Sequence, residues 1–355
     1  MKMPTIRLEA PAQLNLASAL IFATQISTLP KSDLYEIDFS NVGLIEPFAM
    51  LLIASELKKL DQRIPEPNIS CIGTSRMTYA AHMGFFKAFG LSIGNAPGQA
   101  RGSSTYLPIT IFDREEVERE AAINGIEVGS HIETTSQRLS RILCGEGDGP
   151  LYDTLTYSIR EIMRNAVEHS ASNRFGICAQ HWPSKRRVEV AILDRGLGLR
   201  NTLSKNPHID VSDDKKSINY ALMPAISGKA FKGSKIQQKG NWANSGFGLY
   251  MTNRICRNGG NFFIASGNTG MLLTKSDGKR YYDCCLDGTA VRMVINTTNI
   301  SGLRESLLQY KEEGYEFQRK YREIVDIDPS SASLMLSEDF NASVMNRLLS
   351  TLKLK

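Results

Sequence analysis

Apolar and polar positions along the first hundred residues follow two different periods. Residues 35–39 (YEIDF) change side at every step, as a strand does, and residues 5–8 and 69–72 form two further strand candidates. Residues 11–26 are rich in Ala and Leu, and residues 48–60 place Leu51, Leu52, Ser55 and Leu60 at helical spacing. Pro65 and Pro67 end that second helix. A third, over 77–89, runs up to Gly90, a residue suited to stopping a helix. The alternation of strands and helices predicts an α/β unit over residues 1–93.

Gly94 to Ser104 is rich in Gly and Ser and reads as a domain boundary. A linker is expected over 94–129, holding a strand at 106–112 and a helix start at 113–122. Helices at 130–144 and from 151, strands at 175–181 and 187–193, a polar segment at 200–245, a helix at 247–258 and strands closing at 289–295 outline a second α/β unit over 130–299. Residues 300–355 read as a tail of two amphipathic helices. Leu303, Leu307 and Tyr310 stripe the first and Phe340, Val344, Leu348 and Leu352 the second, as packing or association surfaces.

A chain of 355 residues, 42% hydrophobic and 22% charged, has length for two domains and excludes disorder as the main state. The most apolar stretch, 42–54, carries Glu46 and Pro47 and is too short to span a bilayer. The opening MKMPTIRLEA lacks the apolar core of a secretory signal, so a cytoplasmic protein with no membrane partner is expected. A net charge of +5 does not argue for nucleic acid. Lys185, Arg186 and Arg187, and the lysines at 205, 215, 216, 229, 232, 235 and 239, read as solvated positions with few aromatics for base stacking. The six cysteines are scattered, with no CxxC pair, so reduced thiols are expected and neither a disulfide framework nor a zinc site.

Candidate chemistry concentrates in the middle of the chain. GKAFKGSK, from Gly228, lacks the ending of a phosphate-binding P-loop. In SIREIMRNAVEHS, Glu161 and Asn165 lie four apart and share a helix face. There the carboxylate can take a proton from water and the carboxamide oxygen can ligate Mg²⁺. VAILDRGLGL puts Asp194 at the end of an apolar strand, where it can accept the amino hydrogens of adenine, with Gly196 and Gly198 letting backbone approach a flat ring. GNWANSGFGLYMTNRIC sets Gly240, Gly246 and Gly248 before a helix whose first amides can bind phosphate. DGTAVRMVI then places Thr289 at the start of a late strand.

In this order the four segments resemble the nucleotide-binding boxes of the GHKL ATPase superfamily, and NAVEHS, with His169, is most similar to anti-sigma-factor serine kinases. The resemblance implies a Bergerat α/β sandwich that binds ATP with Mg²⁺. Glu161 would be the general base, Asn165 the metal ligand and Asp194 the adenine anchor supported by Thr289. Gly196 and Gly198 would shape the base pocket, and Gly246, Phe247, Gly248 and Leu249 would line the phosphate side, with 200–245 as a lid that is mobile without nucleotide. The N-terminal DFSNVGLIEPFAMLLIASELKKL, ISCIGTS and MTYAAHMGFFKAFGL resemble a STAS domain. Where that family carries Asp-Ser-Ser-Gly this chain has Glu46, Pro47, Phe48 and Ala49, so the unit is expected to dock a protein partner, with Phe48 as an apolar contact, and not to switch by phosphorylation. The expected function is slow ATP hydrolysis in which lid closure regulates a partner bound through the STAS-like unit or the tail. A serine/threonine kinase acting on a separate STAS protein, and a nucleotide-dependent scaffold with little turnover, stay open. So does a homodimer.

Overall fold

The computed structural model describes residues 5–63, 69–168, 170–224, 226–229, 231, 248–275, 278–300, 308–310, 312–314 and 316. The protein is mixed α/β. The N-terminal unit comprises β1 (Ile6–Glu9), β2 (Gln13–Leu14), α1 (Leu16–Thr28), β3 (Tyr35–Asp38), β4 (Leu44–Ile45), α2 (Pro47–Asp61), β5 (Ile69–Ile72), α3 (Thr78–His82) and α4 (Phe85–Ala88). Strands β1, β3 and β5 form a parallel sheet in that order, and β2 pairs with β4. Asn15 starts α1 by accepting the amides of Ala17 and Ser18, while the Ser18 hydroxyl accepts the Asn15 amide at 3.0 Å. Pro47 opens α2 where its missing N–H is not needed. The single helix expected over 77–89 is two, because Gly84 turns left-handed between them at φ 88°.

The second unit comprises β6 (Tyr106–Asp113), α5 (Arg114–Ile123), α6 (Val128–Cys144), α7 (Pro150–Glu168), β7 (Arg174–Trp182), β8 (Arg187–Asp194), α8 (Gly198–Leu203), α9 (Asp214–Ala221), α10 (Gly248–Arg257), β9 (Asn261–Thr274) and β10 (Lys279–Asn296). One antiparallel sheet of five strands, ordered β6-β7-β8-β10-β9, runs through it. The expected linker over 94–129 is therefore corrected: β6 is an edge strand of this sheet, paired to β7, and α5 packs on α6. Over its first half the polar stretch read as a lid carries more apolar packing than its composition suggests. Helices α8 and α9 occupy it, and Leu203, Tyr220, Ala221, Met223 and Ile226 build a small core with Tyr250 and Met251. Residues 232–247 and most of the expected tail lie outside the described residues. No helix of the described residues is long and apolar enough to cross a membrane.

Alternation along the five strands gives the sheet two apolar faces. Val188, Val190, Ile192, Ile264, Val291 and Met293 pack with α6 and α7 in one core. Their neighbours Cys178, Ala191, Leu193, Phe263, Ala265 and Ala290 belong to the core of the N-terminal unit. Helix α2 lies along β7 and β8, so it is covered on both sides, and Pro47 to Ala54 are all buried. Phe48 does not present the free apolar contact expected of it. It is buried, its ring set edge-on to Phe263 at 5.4 Å. Beside it, Arg292 donates to Glu46 (3.2 Å) and Glu189 (2.8 Å), and Arg187 donates to Glu46 (3.1 Å) and Glu189 (2.5 Å). Two carboxylates and two guanidiniums thus neutralise one another across the contact between the units, and removal of one would leave a buried charge uncompensated.

Truncation of Phe48 to alanine should lower stability to urea by about 3–5 kcal/mol, because the cavity opens in a core common to both units. Both units should lose structure in one transition. A separate, unshifted transition of the second unit would contradict the shared core.

Candidate functional site

Strand register brings the scattered motif residues together. Asp194, the last residue of β8, is paired with Thr289 on β10, and Thr289 is paired in turn with Ser266 on β9. Asp194 and Thr289 fall on the same face as Ile192 and Val291, the face that α7 covers. There a cleft opens between sheet, α7, α8, α9 and α10. Ile162, Ala166, Ile192, Ile264 and Val291 make one set of apolar walls, and Leu199, Leu203, Ala221 and Ile226 make another. Asn165, Asp194, Ser170, Thr202, Ser227 and Thr289 are the polar side chains on its lining. Its lining has the character of a small-molecule site, apolar with a few fixed polar groups.

Asp194 is the electrostatic centre. It is buried, and its carboxylate accepts the Gly196 amide at 2.8 Å and the Thr289 amide. Burial pushes its carboxyl up to about 6, against the pull of those two amides and of the Arg195 guanidinium. A carboxylate held so dry is a strong acceptor for a donor brought by a ligand. Asn165, one helical turn from the end of the α7 floor, is half-buried, and its Nδ2 has no hydrogen-bond partner among the described residues. An orphan donor on a cleft wall fits a polar ligand.

Gly196 and Gly198 do not line this cleft. They form the turn behind Asp194, where the Leu197 amide donates to the Ser170 carbonyl at 2.6 Å. A side chain at 196 would run into that carbonyl, so only glycine lets the turn lie against the end of α7. Gly248 and Leu249, at the start of α10, do line the cleft. A Cβ at 248 would collide with the Glu161 carboxylate, which places Glu161 at the rim beside the α10 N-terminus and not within the cleft. Its Oε1 accepts Arg160 Nε (3.1 Å) and Nη2 (2.8 Å). Gly240, Gly246, Phe247 and His169 lie outside the described residues.

Several residues carried no sequence signal. Ser266 accepts the Leu199 amide at 2.9 Å and donates to the Gly288 carbonyl at 2.8 Å, tying the glycine turn to β10. Ser170 closes the NAVEHS segment but has no assigned role there, Ile226 and Ser227 belong to no motif, and Lys229 fixes their wall by donating to the Glu168 carbonyl at 2.5 Å. Among the described residues no three His, Cys, Asp or Glu side chains gather as a metal group. A Mg²⁺ that keeps several waters and rests largely on substrate phosphates needs no such cluster, and Asn165 lines the cleft. Comparison of the chain with protein-family models, with curated proteins and with solved structures found no match.

Proposed function

We propose that the second unit is a GHKL-type ATPase domain with a Bergerat fold, that the N-terminal unit is STAS-like, and that the cleft binds ATP with Mg²⁺ and hydrolyses it slowly. The observation that carries this reading is the buried Asp194 carboxylate at the floor of an apolar cleft, beside Thr289 and facing Asn165 on α7. A flat base with an exocyclic amino group suits such a floor: apolar faces against Ile162, Ala166 and Val291, one donor to Asp194. Asn165 would hold the metal through its oxygen, and the first amides of α10 at Gly248 and Leu249 would face the phosphates. The metal would supply charge neutralisation on those phosphates when bound. Glu161 at the rim would accept the proton of the attacking water, and Arg160 fixes which of its oxygens is engaged.

The chain's own N-terminal unit sits on the opposite face of the sheet from the cleft, with the start of α2 at the Arg187–Glu189 end of β8 and Ser55 and Glu56 behind the Asp194 end. That placement supports water as the acceptor in preference to a hydroxyl of the unit itself. Incubation with γ-labelled ATP tests the reading. Free labelled phosphate is expected. Label transferred to a protein added from lysate would mean a kinase instead, and neither product would mean a binding scaffold.

A further inference from the structure

Successive residues of a strand point to opposite faces, so the residue after Asp194 leaves the cleft and reaches the other side of the sheet. Arg195 does so: its Nε donates to Ser55 Oγ at 2.8 Å and its Nη2 to Glu56 Oε1 at 2.7 Å, both on α2. Glu56 is 1% exposed. One turn further along α2, Lys59 pairs with Asp287, two residues before Thr289. Ser55, Glu56 and Lys59 share one face of the helix. That face therefore grips both strand ends of the cleft floor, one carrying Asp194 and the other Thr289. Arg195 Nη1 and Glu56 Oε2 make no hydrogen bond among the described residues, so the buried Glu56 carboxylate is held through its Oε1 bond to Arg195, while Arg195 is held by both Ser55 and Glu56.

We propose that α2 is a clamp on the cleft: Arg195, Glu56 and Lys59 are positioning residues through which the N-terminal unit sets the cleft's affinity for its ligand. The inference rests on the nucleotide reading only for the identity of that ligand. By thermodynamic reciprocity, occupancy of the cleft tightens the docking of the N-terminal unit by the same factor. A mere glue between units would act on global stability alone.

Three amides report the floor in the ligand-free protein: Gly196 bonded to Asp194, Leu197 to the Ser170 carbonyl and Leu199 to Ser266. The test measures their hydrogen exchange, the affinity for Mg-ATP and the urea midpoint in Glu56→Gln, Lys59→Asp and the Lys59→Asp/Asp287→Lys swap. Glu56→Gln is expected to speed exchange at these amides about tenfold relative to amides of α6, and to weaken Mg-ATP binding about fivefold or more. Lys59→Asp should weaken binding about two- to fivefold, and the swap should restore it. The Lys59 pair is partly exposed, so the swapped chain is expected to fold. Unchanged exchange at the three amides, or exchange that rises uniformly over the chain, overturns the clamp. If the wild-type protein binds no ATP, the nucleotide reading fails while the exchange measurement still decides the clamp.

Discussion

Asp194→Asn is expected to weaken Mg-ATP binding while making the ligand-free protein more stable at neutral pH. The substitution keeps shape and an acceptor oxygen but removes the charge from the hydrogen bond to the ligand's amino group. That loss is worth about 1.5–3 kcal/mol, or about ten- to 150-fold in affinity. The stability gain follows from burial. The folded carboxyl titrates at about 6, above its ordinary 3.8. Below pH 3.8 it is protonated in folded and unfolded chains alike, and nothing is at stake. Between the two values the folded chain keeps a proton that the unfolded chain has released, so this group's contribution to stability falls as pH rises. Above pH 6 the full penalty, about 3 kcal/mol, is in place. Asparagine removes it, so the variant should gain up to that amount at pH 7.5 and little at pH 3.5. Urea midpoints at both pH values, with calorimetric titration of ATP, check the pair of effects. A variant that binds ATP as the wild type does would take Asp194 out of the base pocket.

The second large effect belongs to the rim. Glu161→Ala should slow hydrolysis by about 10²–10⁴-fold, the usual contribution of a positioned base, with ATP affinity nearly intact. Arg160 keeps a second carboxylate within reach, Glu133 at 3.9 Å, so the truncation strands no guanidinium. Asn165→Ala should instead weaken the Mg²⁺-dependent part of binding, since it removes an oxygen from a cation with few protein ligands. Steady-state phosphate release and titrations with and without Mg²⁺ separate the two residues, although one helical turn divides them. Wild-type turnover in Glu161→Ala would leave that residue as an ion-pair partner of Arg160 alone.

What the sequence makes legible is local. The apolar run ending in Asp194 reads as a buried strand, and the Glu161–Asn165 spacing reads as one helix face, because both depend on neighbours a few residues away. The juxtaposition of Asp194, Thr289 and Ser266 depends on strand register between distant segments, and Ser266 sits in a strand with nothing to mark it. Strand β6 escapes as a member of the sheet because Gly- and Ser-rich chain precedes it, although its partner β7 lies far along the sequence. Helix α2 carried an unread signal. A helix apolar all round needs cover on every side, and FAMLLIA gets it from the N-terminal core and from the small side chains Ala191, Ala265 and Ala290 on the second sheet. The mild polarity of 200–224 hid α8 and α9, whose few apolar residues suffice because Tyr250 and Met251 of α10 complete their core.

Base selectivity tests the central claim most directly. A buried carboxylate on the cleft floor welcomes the amino group of adenine and repels the carbonyl oxygen that guanine carries at the same place. Calorimetric titration of the wild-type protein with Mg-ATP and with Mg-GTP should give saturable one-site binding of ATP and binding of GTP weaker by about tenfold or more. Equal affinity for the two, or no heat from ATP at millimolar concentration, would contradict the assignment of this cleft to an adenine nucleotide.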